Sequence, residues 1–325
     1  MEPYRPRGET LSQGLQVVKE RCMTVDDAIT SACSSVGIKP PQGTRYGVWM
    51  KTDTLSGANG RGDGRVMVNE RSVTAYNWQT GEKVSVSLND GTEKIDRREV
   101  KRKVEQEDRK RKERAARAAQ IANDMVQAAT LRTHAYLALK GFPEEKALVL
   151  DVAAIRHIGG DYLVDPGEQE AIIIPARAGN QIRSAQLIFE QGRKKFLYGG
   201  ETAGTSHRIA VGRDCWHCEG FATGLSLRSA FSSFGYKATI LCCFSASNVE
   251  VVSRTAQGRP FIAADNDKPQ PQFKGLGTGQ YFAERSGVRF VMPPTIGEDF
   301  NDMHQREGLF AVQRLICDFL KGARR

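Results

Sequence analysis

The chain has 325 residues, 40% apolar, 26% charged and 8% aromatic. That is ordinary globular usage, and at roughly 150 residues per domain it allows about two domains, which excludes a single small module and a fibrous or wholly disordered chain. Lys and Arg number 47 against 38 Asp and Glu, a net charge of +9, and the seven cysteines are an odd, scattered set unlike a disulfide framework.

In chain order, Thr24 to Val36 is predicted as a helix with Thr24 as N-cap and Asp26 and Asp27 in its first turn, closed by Pro40 and Pro41. From Tyr46 to Leu88 short β-rich runs alternate with turn clusters, among them Gly57 to Gly64 and Thr80-Gly81. A small β-rich module is expected. Trp49, Tyr76 and Trp78 could stack on unpaired bases, with core packing as the preferred reading. Asp96 to Thr130 contains no Gly or Pro and consists largely of strong helix formers, so one long helix is expected. Its first half has only Val100 and Val104 as an apolar pair; its second carries a stripe of Ala, Ile121, Met125 and Val126 that must pack. The runs KALVLDVAAI, QEAIIIPA and QIRSAQLIFEQGRKKFLYGG read as strands broken by Gly159-Gly160, Pro166-Gly167 and Gly179-Asn180, in a mixed α/β segment.

From Arg208 the pattern is regular: strand CWHCE, helix Thr223 to Phe234, strand ATILCCF, helix Ser247 to Ala256, strand RPFIAAD, helix Gly279 to Ser286, strand VRFVMP, a loop, and helix Leu309 to Leu320. Such alternation implies βαβ units and a mainly parallel sheet, whose ligands sit at the carboxyl ends of the strands. Glu219, Asp265, Asp267, Asp299 and Asp302 all fall there. Clustered carboxylates repel and lose hydration, so a fold keeps them together chiefly when cations bridge them. Hard oxygen ligands suit Mg²⁺ or Mn²⁺ holding phosphate oxygens. The positive charge agrees with such a partner: Arg97 to Arg117 holds 11 basic and 5 acidic residues, and Ala171 to Arg213 holds 7 and 2, two basic segments that resemble a polyanion footprint. A solvated basic helix is the alternative for the first.

The segments CEGFATGLSL, FIAADND and GEDFNDMH, in this order, resemble the Toprim catalytic domain of phage- and plasmid-encoded DNA primases. The likeness continues upstream through THAYLALKGF, AIIIPARAGNQIRSAQLI and GRKKFLYGG, and more loosely through AYNWQTGE and the charged helix, and covers roughly Gly64 onward; residues 1 to 45 lie outside it. The resemblance implies a Rossmann-like α/β Toprim domain at 206–325, preceded by a basic α/β primase-core subdomain at 131–205, a basic linker helix at 92–130 and the β-rich module at 1–91, a candidate template-binding element. It implies Glu219 as general acid/base or metal-organising residue, Asp265 and Asp267 as the Mg²⁺-binding pair, and Asp299 and Asp302 as further metal or supporting ligands. Arg177, Arg183, Arg193, Lys194 and Lys195, with Lys274, would hold template and nucleotide. Cellular primases carry an Asp four residues after the glutamate; here stands Thr223, so their metal stoichiometry does not transfer.

A zinc ribbon needs two close pairs of ligands, and the N-terminal region offers only Cys22 and Cys33, so none is expected. Cys215-x-x-Cys218 lies on a predicted strand, where i and i+3 side chains point to opposite faces, and is read as packing, as are His217 and His134. No GxxxxGKS/T loop occurs, so unwinding would fall to a separate replicative helicase. The leading expectation is a primase joining ribonucleoside triphosphates on single-stranded DNA, with a Toprim nuclease or a non-catalytic replication accessory factor as alternatives. No apolar run approaches the roughly 20 residues of a membrane span, and the opening residues lack the apolar core of a secretion signal; the expected location is the cytoplasm, that of the bacterial host if phage-encoded.

Overall fold

The computed structural model describes residues 24–56, 60–88 and 97–322, the first four of the last stretch as backbone alone. Cys22, Asp96, the Val100 side chain and part of the Gly57 to Gly64 turn therefore lie outside the described residues. The chain divides into two units, one comprising residues up to 77 with 83–104, the other 78–82 with 105–325.

In the first unit, helix α1 (Val25–Ser35) opens with the expected cap: the Thr24 hydroxyl accepts the Asp27 N–H, and the Asp27 carboxylate accepts the Thr24 N–H in return. The helix covers an antiparallel meander of β1 (Met50–Thr52), β2 (Gly64–Val68), β3 (Ser72–Asn77) and β4 (Lys83–Ser87). Ile29, Cys33, Met50, Val66, Val68 and Val73 form the core between them. Trp49 and Trp78 are not part of it, with 44% and 42% of their surface exposed. This corrects the core reading: both stand outside the strands, Trp49 just ahead of β1 and Trp78 in the turn after β3, while the alternation of β3 turns Val73 and Ala75 inward. Tyr76 is half-buried.

Helix α2 (Arg97–Ala128) is continuous over 32 residues. Within the second unit its stripe of Ala118, Ala122 and Met125 is buried against one face of an antiparallel sheet ordered β5-β6-β7-β8-β9. These strands are β5 (Thr130–Arg132), β6 (Ala147–Asp151), β7 (Glu170–Ala178), β8 (Gln181–Phe189) and β9 (Lys194–Phe196), with α3 (Ala135–Leu139) and α4 (Val152–Gly159) between them. The expected strand KALVLDVAAI is divided, because Asp151 accepts the Ala154 N–H at 2.8 Å and caps α4.

The second sheet is ordered β10-β12-β11-β13-β14. Its strands β11 (Asp214–Cys218), β12 (Ala238–Cys242), β13 (Arg259–Ala263) and β14 (Phe290–Val291) are parallel, and β10 (His207–Ala210) is an antiparallel edge. Helices α5 (Phe221–Ser233), α6 (Ala246–Arg254), α7 (Thr278–Ser286), α8 (Phe300–Glu307) and α9 (Leu309–Gly322) flank it. The expected loop after VRFVMP contains α8, a helix the sequence pattern did not suggest. The antiparallel sheet and this α/β layer share one core: Ile172, Ile174 and Ile188 join Trp216, Phe231 and Phe261, while Ile173 and Leu187 face α2 and α4. The AIII run is buried on both faces, which is why it shows no alternation. Among the described residues no helix is long and apolar enough to cross a membrane.

Candidate active site

Three loops at the carboxyl ends of β11 and β13 and just past β14 carry the acids. Glu219 follows β11 directly, and Gly220 caps α5. Past β13, the Asp265-Asn266-Asp267 turn is fastened to the loop leading into α8: the Asn266 N–H donates to the Glu298 carbonyl at 3.0 Å, and the Gly297 N–H to the Asn266 carbonyl. Helix α7 abuts the same turn. A Cβ at Gly279 would stand 2.3 Å from the Asp265 carbonyl oxygen, and one at Gly277 equally close to that of Asp267, so only glycine permits this approach. Through it the Gly279 N–H donates to the Asp267 carboxylate at 2.8 Å.

Burial, then the charge of Asp267, pushes Glu219 up to about 7, against the opposing Lys194 ammonium and the Ala246 N–H at the start of α6. Asp265 is raised well above the carboxylate range, first by burial and then by Glu219, Asp299 and Asp267. Its Oδ1 is buried and has no hydrogen-bond partner. Asp299 and Asp302 are engaged in a reciprocal cap of α8: Asp299 accepts the N–H groups of Asn301 and Asp302 at 2.6 and 2.9 Å, and Asp302 accepts the Asp299 N–H at 3.2 Å. The remaining Asp302 oxygen lies 3.8 Å from the Lys140 ammonium. Asn301, fully buried, donates to the Lys140 carbonyl and the Ser226 hydroxyl, which seats α8 against α5 and the turn after α3. Phe244, past β12, adopts a left-handed φ of 71° and donates its N–H to the Glu219 carbonyl at 2.9 Å. Such strain in a non-glycine residue costs about 1–3 kcal/mol and gathers at functional sites.

Among the described residues no three of these groups converge tightly enough to enclose an ion. The donor set nevertheless suits a hard divalent cation, since the Asp265 oxygen is buried and unpartnered, Asp267 and Asp299 both repel Glu219, and the one opposing ammonium, Lys194, is in ion-pair contact with none of them among the described residues. Thr223, where the cellular pattern has Asp, is completely buried and its hydroxyl has no partner.

The basic residues expected to act together are separated by the strand alternation. On β9, the Lys194 charge acts on Glu219, Asp265 and Cys242. Arg193 is instead bound to Glu168 and Asp165, donates to the Leu163 carbonyl and lies 4.2 Å over the Phe189 ring, while Lys195 is 3.6 Å from Asp165. Arg177 donates to the Asn180 carbonyl at 3.3 Å, and Arg183 is 4.0 Å from Glu201. Lys274 is exposed in a left-handed turn of φ 58°.

The cysteines and histidines pack as the sequence suggested. Cys215 and His217 share one face of β11, their side chains 3.6 Å apart, and Cys218 belongs to the core beneath the other face with Trp216. Burial pushes the Cys215 thiol up to about 11 and holds His217 below its usual value, its ring bonded to the Phe261 carbonyl. His134 caps α3 by accepting the Tyr136 N–H at 3.1 Å. Cys33 is buried in the first unit's core.

Residues 215–309 match the Toprim domain profile, so the α/β layer and its acids form a Toprim domain. Among solved structures, the chain is similar to a bacteriophage T7 complex of the lagging-strand DNA polymerase with primase domains bound to an RNA/DNA hybrid and dTTP (16% identity, TM-score 0.34, 48% of this chain and 78% of that one). It is similar also to the primase fragment of the bacteriophage T7 primase-helicase protein (15%, 0.35, 47% and 64%) and to the DnaG catalytic core (12%, 0.33, 50% and 60%).

Proposed function

We propose that the protein is a DNA primase of phage or plasmid replication, joining ribonucleoside triphosphates into short primers on a single-stranded DNA template. The observation that carries this reading is the meeting of Glu219, Asp265, Asp267 and Asp299 at one edge of a Toprim sheet, with the Lys194 charge from the neighbouring antiparallel sheet acting on Glu219 and Asp265. Glu219, Asp265 and Asp267 would hold Mg²⁺ or Mn²⁺, with Asp299 beside them and Asp302 fixing its position. When bound, the cation lowers the barrier to phosphoryl transfer by neutralising charge on the triphosphate and the attacking 3′-hydroxyl. Lys194 supplies a positive charge where a triphosphate would enter, which favours polymerisation over cleavage, since hydrolysis of a phosphodiester needs no triphosphate pocket. Arg177, Arg183 and Lys274 are exposed or half-exposed cations available to nucleic acid, whereas Arg193 serves the subdomain's own structure. A separate replicative helicase would supply unwinding.

The test is incubation with single-stranded DNA, labelled ribonucleotides and Mg²⁺ or Mn²⁺, beside a cleavage assay on labelled DNA. Short labelled products without template loss are expected. Cleavage without synthesis would make the protein a Toprim nuclease, and binding with neither would make it an accessory factor.

A further inference from the structure

Two exposed tyrosines outside the acidic site are joined by a hydrogen bond. Tyr162 follows α4, Tyr198 follows β9, and 47% and 70% of their surfaces are open to solvent. The Tyr162 ring is fixed against the Tyr198 backbone, because the Tyr162 hydroxyl accepts the Tyr198 backbone N–H at 3.0 Å. An aromatic ring held in place without apolar cover has already lost the freedom that binding would otherwise remove. The next residue, Gly199, has φ +78° and runs against α2, where a Cβ would stand 2.8 Å from the Arg114 Cβ. The pair therefore sits beside the basic part of that helix.

The local charges are complementary to phosphate. Asp161, Asp165 and Glu201 are each matched, by Arg156, by Arg193 with Lys195, and by Arg183. Arg114 and Arg117, neighbours on one helix face at i and i+3, have no acid within ion-pair distance among the described residues. Tyr198 is also four residues beyond Lys194, about 13 Å of extended chain at roughly 3.3 Å per residue, so one strand could touch both the platform and the acids.

We propose that Tyr162 and Tyr198 form a stacking platform for unpaired bases of a single-stranded nucleic acid, DNA or RNA, with Arg114 and Arg117 holding its phosphates. This rests on the primase reading and identifies part of the template's path. Stacking is indifferent to salt, whereas each phosphate held by a cation adds to the salt slope, so the two roles separate experimentally.

The full chain is titrated in chelator, which takes the acidic site out of the measurement, with labelled oligo(dT) and oligo(rU) across a range of salt. The double variant Tyr162→Ala, Tyr198→Ala should bind at least tenfold more weakly with an unchanged salt slope, and Tyr198→Phe should bind like wild type, the ring being what matters. Arg114→Ala with Arg117→Ala should flatten the slope by roughly 0.7 for each phosphate no longer neutralised. Equal weakening on both oligonucleotides supports a platform that takes either strand; weakening on one alone supports it for that strand. A double tyrosine variant that melts like wild type and binds within twofold of it overturns the platform and leaves the primase reading standing. Failure of the wild type to bind either oligonucleotide overturns both.

Discussion

The two ends of the Toprim sheet treat carboxylates in opposite ways. Asp214, at the start of β11, is buried, accepts the Tyr236 hydroxyl at 2.5 Å and holds the Arg259 guanidinium at 2.7 and 3.2 Å. Arg259 foremost, with Tyr236, holds it below its usual value. Just past the other end of the same strand, Glu219 is pushed up to about 7 by burial and neighbouring acid, and Asp265 beside it keeps an oxygen with no partner. The difference is contact: Arg259 is bonded to Asp214, whereas Lys194 acts on Glu219 and Asp265 with no ion pair to either among the described residues. Where the contact is made, the acid stabilises the protein. Where that contact is missing, the buried acid is a cost that Lys194 offsets only in part.

The largest expected effect breaks that comparison at its unsatisfied end. Glu219→Gln should lower primer synthesis by roughly 10² to 10⁴-fold, and Asp265→Asn or Asp267→Ala should abolish cation-dependent synthesis. In chelator, the Asp265 variant should melt at or above the wild-type temperature, since a buried carboxyl under repulsion has been replaced by a neutral amide. A clearly lower melting temperature would show that Asp265 already has a stabilising partner.

The next effect separates adjacent residues of one basic cluster. Lys194→Ala should reduce kcat/KM for nucleotides by about 10- to 100-fold, the range expected for removing a charge-assisted hydrogen bond, with little change in stability. Arg193→Ala should instead cost about 2–3 kcal/mol of folding free energy, because it strands the half-buried Glu168 and leaves Asp165 with Lys195 alone. Denaturant melts and steady-state kinetics on both variants check this; an exchange of the two phenotypes would mean that the β9 alternation misassigns the functional cation.

Much of this was legible in the sequence. The regular spacing of strands and helices after Arg208 placed Glu219 and Asp265 at strand ends, because period and breaker residues are local properties. The separation of Arg193 from Lys194 was not visible, since it depends on Glu168 and Asp165, residues distant along the chain. Helix α4 was hidden by an apolar run that fits either a strand or a helix, though Asp151 was its cap signal. Helix α8 was hidden in the same acids that drew attention as ligands: Asp299 and Asp302 at N-cap and N3 are a capping pair as well as a carboxylate cluster. Trp49 and Trp78 were misplaced because aromatic content marks neither core nor surface without a register.

At the satisfied end, Asp214→Asn should destabilise the protein by about 1–2 kcal/mol, a charge-assisted interaction discounted for the exposure of Arg259. Because the folded-state value of Asp214 is depressed, its contribution is complete above the unfolded carboxylate value, about 3.9, and is lost as pH falls through the lower folded value. Stability measured from pH 7 downward should therefore show a constant gap between wild type and variant to about pH 4–5, closing below it. A gap that persists in stronger acid would assign the destabilisation to packing instead.

The smallest effect decides what Asp302 is for. Its Oδ2 closes the cap on the Asp299 N–H and its Oδ1 faces Lys140, so binding a cation would require releasing one or both. If capping is its work, Asp302→Asn retains an oxygen able to accept the same N–H and should leave synthesis within about threefold of wild type. Asp302→Ala removes the reciprocal bond to the Asp299 N–H while the Asp299 cap itself remains, and should cost up to about 1 kcal/mol of stability, with Asp299 and hence the acid edge less firmly held. If Asp302 is a metal ligand, charge rather than shape matters: both variants should then lose synthesis equally and by orders of magnitude, and Mn²⁺ titration should show weakened binding in the Asn variant despite its intact helix.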